Sequence, residues 1–119
     1  MIKFQFLVSL MLSVVFLFSC SESNDRKKIK ITEFREKFQD SLVPTNHTYT
    51  TYYIRVRGYI NDSIRIIPGE EGDGTYSFYY SGNIDEELKM DYYGSLTKHF
   101  TFDPYKATEG ELIIEYKLL

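Results

Sequence analysis

The chain has 119 residues, 14 basic against 17 acidic for a formal net charge of −3, with 11 Tyr, 9 Phe, no Trp and a single cysteine. That length holds one domain with a single core, and the acidic balance argues against a nucleic-acid binder, which would be basic overall. The wealth of Tyr, Phe, Ile and Thr favours strands over helices.

In chain order, the first element is MIKFQFLVSLMLSVVFLFSC, with Lys3, an uncharged run from Phe6 to Phe18, then Ser19 and Cys20. This is the three-part layout of a secretory signal. As a helix the run would reach about 20 Å, short of the ~30 Å hydrocarbon core of a bilayer, so cleavage is expected over retention. Leu17-Phe18-Ser19-Cys20 resembles the lipobox of bacterial lipoproteins, in which an aliphatic and a small residue precede a lipid-bearing cysteine. The resemblance implies that the Cys20 thiol receives a diacylglyceryl group, that the signal is cut just before it, and that the new N-terminus is acylated as well. Each buried methylene contributes roughly 0.8 kcal/mol, and two or more chains hold a protein firmly on a membrane. It also gives a lone cysteine in an exported chain a reason to be there. Residues 1–19 are therefore expected to be the signal peptide and 20–28 the lipidated cysteine with a flexible tether, since SESNDRKK has no apolar residue to bury. Ser21 carries no aspartate-type retention signal for the inner membrane, so the expected address is the outer membrane, lipid-anchored, on its periplasmic or its exposed side. Processing would leave 100 residues at a formal charge of −4, because Lys3 is the only charged group lost.

Residues 29–119 are the expected folded domain. Ile29 and Ile31 alternate as in a first strand, while Ile31, Phe34, Phe38 and Leu42 fall near helical spacing behind Thr32. This predicts a short strand over 29–34 running into an irregular or one-turn helical piece that Pro44 interrupts. From Tyr49 the period is two: Tyr52, Ile54, Val56, Gly58 and Ile60 point one way, Tyr53, Arg55, Arg57 and Tyr59 the other. Asn61-Asp62-Ser63 reads as the turn of a hairpin whose second strand carries Ile64 and Ile66. Pairing Ile60 with Ile64 and Gly58 with Ile66 keeps both apolar sets on one face, which requires a three-residue loop or a bulge. Further strands are predicted around Tyr76 to Tyr80, Leu88 to Tyr92, Leu96 to Phe102 and Leu112 to Leu118, separated by Gly, Pro and Asn signals that include Gly82-Asn83. Six to seven short antiparallel strands, each with one apolar face, predict an all-β fold, a small two-sheet β-sandwich of immunoglobulin-like or related type. No disulfide or Trp marks a true antibody domain.

Chemistry is sparse. His47 and His99 are too few for a zinc site, and no nucleophile elbow, P-loop or dinucleotide fingerprint is present. The expectation is no enzyme, no cofactor and no metal. Glu70, Glu71 and Asp73 gather among glycines, but without EF-hand spacing they read as solvated turn acids rather than a calcium loop. The outer face of the predicted hairpin carries Tyr53, Arg55, Arg57, Tyr59 and Arg65, residue types that dominate binding hot spots. This strip is the candidate binding surface; the plainer alternative is a solvated sheet face with Arg stems lying across Tyr rings. Tyr79 and Tyr93 form a second outer aromatic group able to stack on sugars. Asp40-Ser41-Leu42 and Asp62-Ser63-Ile64 resemble the Asp-Ser/Thr-apolar sites of bacterial O-glycosylation, which makes Ser41 and Ser63, both in predicted loops, candidate acceptors. The function that follows is a membrane-anchored envelope lipoprotein whose non-catalytic sandwich binds another protein, as accessory subunit, adhesin-like module or inhibitor. The alternative is a glycan-binding module.

Overall fold

The computed structural model describes residues 23–46 and 48–119. Cys20, the signal segment and His47 lie outside the described residues. Six strands follow one another: β1 (Arg26–Ile31), β2 (Phe38–Leu42), β3 (Thr51–Ile67), β4 (Phe78–Asp91), β5 (Lys98–Asp103) and β6 (Gly110–Leu118). All pair antiparallel, in the order β1-β6-β3-β5-β2 with β4 on β3. The all-β sandwich expected from the alternation is what the chain forms.

One long pair of strands makes both layers. β4 lines β3 from Thr51↔Asp91 to Ile66↔Phe78, with a register shift between Ile60 and Ile64. Before that shift the other edge of β3 takes β6, which in turn takes β1; beyond it β3 takes β5, which takes β2. The sheet is continuous, and its two arms meet across the core, where the Phe100 and Tyr116 rings stack at 4.6 Å and the Tyr52 hydroxyl donates to the His99 carbonyl at 2.8 Å. Ile54, Val56, Ile64, Ile66, Leu112 and Ile114 are fully buried between the arms.

The hairpin predicted at Asn61 to Ser63 is overturned. These residues stay within β3, as three residues opposite Ser81 alone, and Ile60 and Ile64 pair with Gly82 and Tyr80 rather than with each other. Two surplus residues leave the parity of the alternation unchanged, so Ile54 to Ile66 keep one face inward while the strand bends. Asn61 closes no turn; its side chain binds the β5–β6 connection, donating to Thr108 Oγ1 at 2.8 Å and accepting from the Thr108 and Glu109 amides. Gly82-Asn83 is likewise no turn. The positive φ of 71° at Gly82 lets β4 follow the same bend, so the two predicted strands flanking it are halves of one.

Two further corrections fall near the N-terminus. Residues 26–28, assigned above to the tether, belong to β1, where Arg26↔Lys117 opens a ladder with β6. The expected helical piece contains strand β2 instead, because pairing with β5 (Phe38↔Phe102 to Leu42↔Lys98) buries Leu42 and turns Asp40 toward Tyr116. The connection between β1 and β2 inserts Phe34 against Phe102. At one end this β1–β2 arch is closed by Val43 N–H donating to the Asn24 carbonyl at 2.9 Å and by Lys27, whose ammonium reaches Asp40 at 2.9 Å and the Ser41 carbonyl at 3.0 Å. At the other end it opens into a hollow of about 750 Å³ lined by Ile29, Ile31, Phe38 and Phe102 with Lys28 and Arg35.

Candidate binding surfaces

The strand register sorts the predicted strip into rows. On the outer face of the β1-β6-β3-β4 arm, Lys28, Glu115, Arg55 and Glu87 lie side by side, as do Lys30, Ile113, Arg57 and Asp85. Tyr53 is the most enclosed member, with Lys117 over its ring at 5.0 Å and its hydroxyl donating to Glu87 at 3.0 Å. Burial and that bond push its phenol up. Arg55 donates twice to Asp85, at 3.1 and 3.3 Å, and stands 4.0 Å from Glu87. Lys117–Glu115 and Lys30–Glu111 add further pairs across the face.

Arg65 also points away from the core, but past the bend and onto other acids. Its guanidinium binds Asp103 at 3.0 Å and Glu71 at 2.8 Å. Burial alone would pull Arg65 down; Glu71, Asp103 and Tyr79 outweigh it and hold the group above its ordinary value. The strip is therefore two separate surfaces, each with its own counter-ions. The acids that neutralise it come from β4, β5 and the β3–β4 connection, and single-strand periodicity carries no information about them.

Arg57 is different. Among the described residues it has no ion pair, since Asp85 beside it is taken by Arg55. Tyr59, two residues on, is 55% exposed. Between them Gly58 has φ 138°, and a Cβ there would sit 2.0 Å from the Glu111 carbonyl oxygen. A dent of about 510 Å³ beside it is bounded by Arg57, Tyr59, Asn83, Glu111 and Ile113. An unpaired guanidinium, an exposed aromatic and an amide around one depression can together grip a carboxylate and an apolar group.

The remaining candidates divide. Glu71 is held below its ordinary value first by Lys37, at 2.8 Å, and then by Arg65. Asp73 is lowered by Thr75 and by accepting the Glu70 and Thr75 amides, so it caps its own loop. Among the described residues no three His, Cys, Asp or Glu side chains converge as metal ligands. Ser41 lies in strand β2 rather than in a loop; Ser63 lies in the β3 bulge, where its carbonyl accepts the Lys106 and Ala107 amides. Tyr79 pairs edge-to-face with Tyr105, ring centroids 5.4 Å apart, a partnership the sequence reading missed because Tyr105 follows a turn proline.

No family model matches the chain, and no curated protein does. Among solved structures, a de novo designed double-stranded β-helix determined by solution NMR superposes with a TM-score of 0.44 at 14% identity, covering 79% of this chain and 97% of that one. A structure described as "CBM4 structure and function" gives a TM-score of 0.41 at 11% identity, covering 79% of this chain and 71% of that one.

Proposed function

We propose that the chain is a lipid-anchored envelope lipoprotein whose sandwich binds another protein without catalysis, through the outer face of β3 around Arg57 and Tyr59. The observation that carries this reading is an arginine left unpaired beside an exposed tyrosine, on a face where the neighbouring charges are already matched. Matched ion pairs make a polar rim that is worth little by itself, whereas a central Arg and Tyr contribute most of a typical interface energy. The partner fits best if it presents a carboxylate to Arg57 and an apolar group to the dent. Cys20 supplies the membrane attachment and the outer membrane its address.

Two measurements test this. A photo-reactive amino acid placed at Asn83 should crosslink a defined partner in cells, and Arg57→Ala should weaken that complex by about 1 to 3 kcal/mol while changing folding stability by less than about 0.5 kcal/mol. Affinity untouched by Arg57→Ala with Tyr59→Ala moves the site elsewhere. For the anchor, a fatty-acid analogue should label the wild type and not Cys20→Ser; a labelled mutant ends the lipoprotein reading.

A further inference from the structure

Beyond the face around Arg57, the other arm carries a second arrangement that packing does not explain. Tyr79, Arg65 and Asp103 sit side by side across β4, β3 and β5. The Asp103 carboxylate, itself buried, accepts from Arg65 through one oxygen and from the Tyr105 amide through the other, at 3.0 and 2.9 Å. The next two amides of the same turn, Lys106 and Ala107, donate to the Ser63 carbonyl in the β3 bulge. These bonds hold Tyr105 at φ 51°, the only non-glycine residue with positive φ among the described residues.

A bulky residue in that region is strained, and glycine or asparagine would take the same backbone shape with less strain. Strain of this kind persists where the surroundings over-determine it, and it clusters at functional sites. Burial does not compensate it here, because Tyr105 is 53% exposed and its partner Tyr79 is 54% exposed. The turn therefore holds an aromatic ring out into solvent, braced at 65° against a second exposed ring. Beside the pair stands the Lys106 ammonium, 5.4 Å from the Tyr105 ring centre.

We propose that Tyr79 and Tyr105 form a stacking platform for the pyranose rings of a saccharide chain, with Lys106 meeting its polar substituents. Two exposed rings at an angle present one flat face and one edge, which suits a sugar whose C–H face is apolar and whose rim is hydroxylated. Neutral and acidic glycans share that ring face. The site lies on different residues from the Arg57–Tyr59 surface, so either can fail alone.

The test uses cellohexaose as the neutral probe and hexagalacturonate as the acidic one, titrated into the full chain carrying ring-labelled tyrosine and followed by NMR. Saturable shifts of the Tyr79 and Tyr105 ring signals with either probe are expected, with Tyr59 unmoved. Tyr105→Asn should weaken binding at least tenfold and leave the thermal midpoint equal or higher, since it removes the ring and relieves the backbone. Hexagalacturonate binding that also falls in Lys106→Ala would identify the acidic class as the ligand. No shift with either probe overturns the proposal, as does binding that survives Tyr105→Asn, and a lowered midpoint in that variant makes the ring a packing group instead.

Discussion

Gly58 stands where β3 and β6 approach more closely than side chains allow. A Cβ would be 2.0 Å from the Glu111 carbonyl oxygen and 3.1 Å from the Leu112 Cα, and both are backbone atoms that cannot rotate aside. Gly58→Ala is therefore expected to part the two strands and to lower stability by about 2 to 4 kcal/mol, from overpacking and unfavourable φ together. Urea unfolding measures it, and an unchanged midpoint would contradict the close approach. At this scale much was legible in the sequence. Alternation alone assigned Ile54, Val56, Ile60, Ile64 and Ile66 to the interior, and all are buried. What periodicity does not show is who stands across the gap. The acids that bind Arg55 and Arg65 come from β4, β5 and the β3–β4 connection, so of the three arginines that read as one strip two are matched, each by its own acids, and Arg57 has no ion pair among the described residues.

The bend is the element that most changes the reading. Asn61, Asp62 and Ser63 have the composition of a turn, and Gly82-Asn83 has it too, because a sharp bend in a paired strand needs the same backbone freedom as a reversal. Only the partner distinguishes them: opposite each other, the two irregular stretches bend a pair of strands together. Strand β2 was missed for a related reason, since an edge strand of five residues with two exposed positions at its start has little alternation to display. Deleting Asp62 and Ser63 preserves the parity of β3 but removes the carbonyl that accepts the Lys106 and Ala107 amides. The Ala107 amide keeps its 2.8 Å bond to the Pro104 carbonyl, so the loss falls on the Lys106 amide, and at about 1 kcal/mol it should lower the melting temperature by about 5 °C in a domain of this size. A circular-dichroism melt checks it, and an unaltered transition would show that the bulge is dispensable to the bend.

Across the whole molecule, Asp40 joins three strands from both arms. Burial pushes its carboxyl up, but the Tyr116 hydroxyl and the Lys27 ammonium outweigh that and hold it below its ordinary value of 3.8. A carboxylate whose folded pKa is depressed contributes stability that is present above its unfolded value and lost as pH falls through the folded one. Asp25, lowered by Tyr49 and Ser23, acts in the same direction at the same end of the arch. Urea midpoints should therefore be flat above about pH 5 and fall below pH 4. Asp40→Asn should start lower and fall less steeply in acid. Parallel acid slopes for the two proteins would remove Asp40 from the account.

The ladder between β1 and β6 ties the first described strand to the last, from Arg26↔Lys117 to Ile31↔Leu112. Every contact in it closes a loop of some eighty residues or more, and such non-local pairing makes folding slow, on the order of milliseconds to seconds. The β3–β4 pair is nearer in sequence and can form early, but the other edge of β3 beside Ile54 and Val56 stays unpaired until β6 arrives. A growing chain thus carries an open strand edge and an incomplete apolar face until β6 is made. During that interval, before Leu112, Ile114, Tyr116 and Leu118 line up beside β3 and complete its inner face, chaperone capture, proteolysis and aggregation compete with folding.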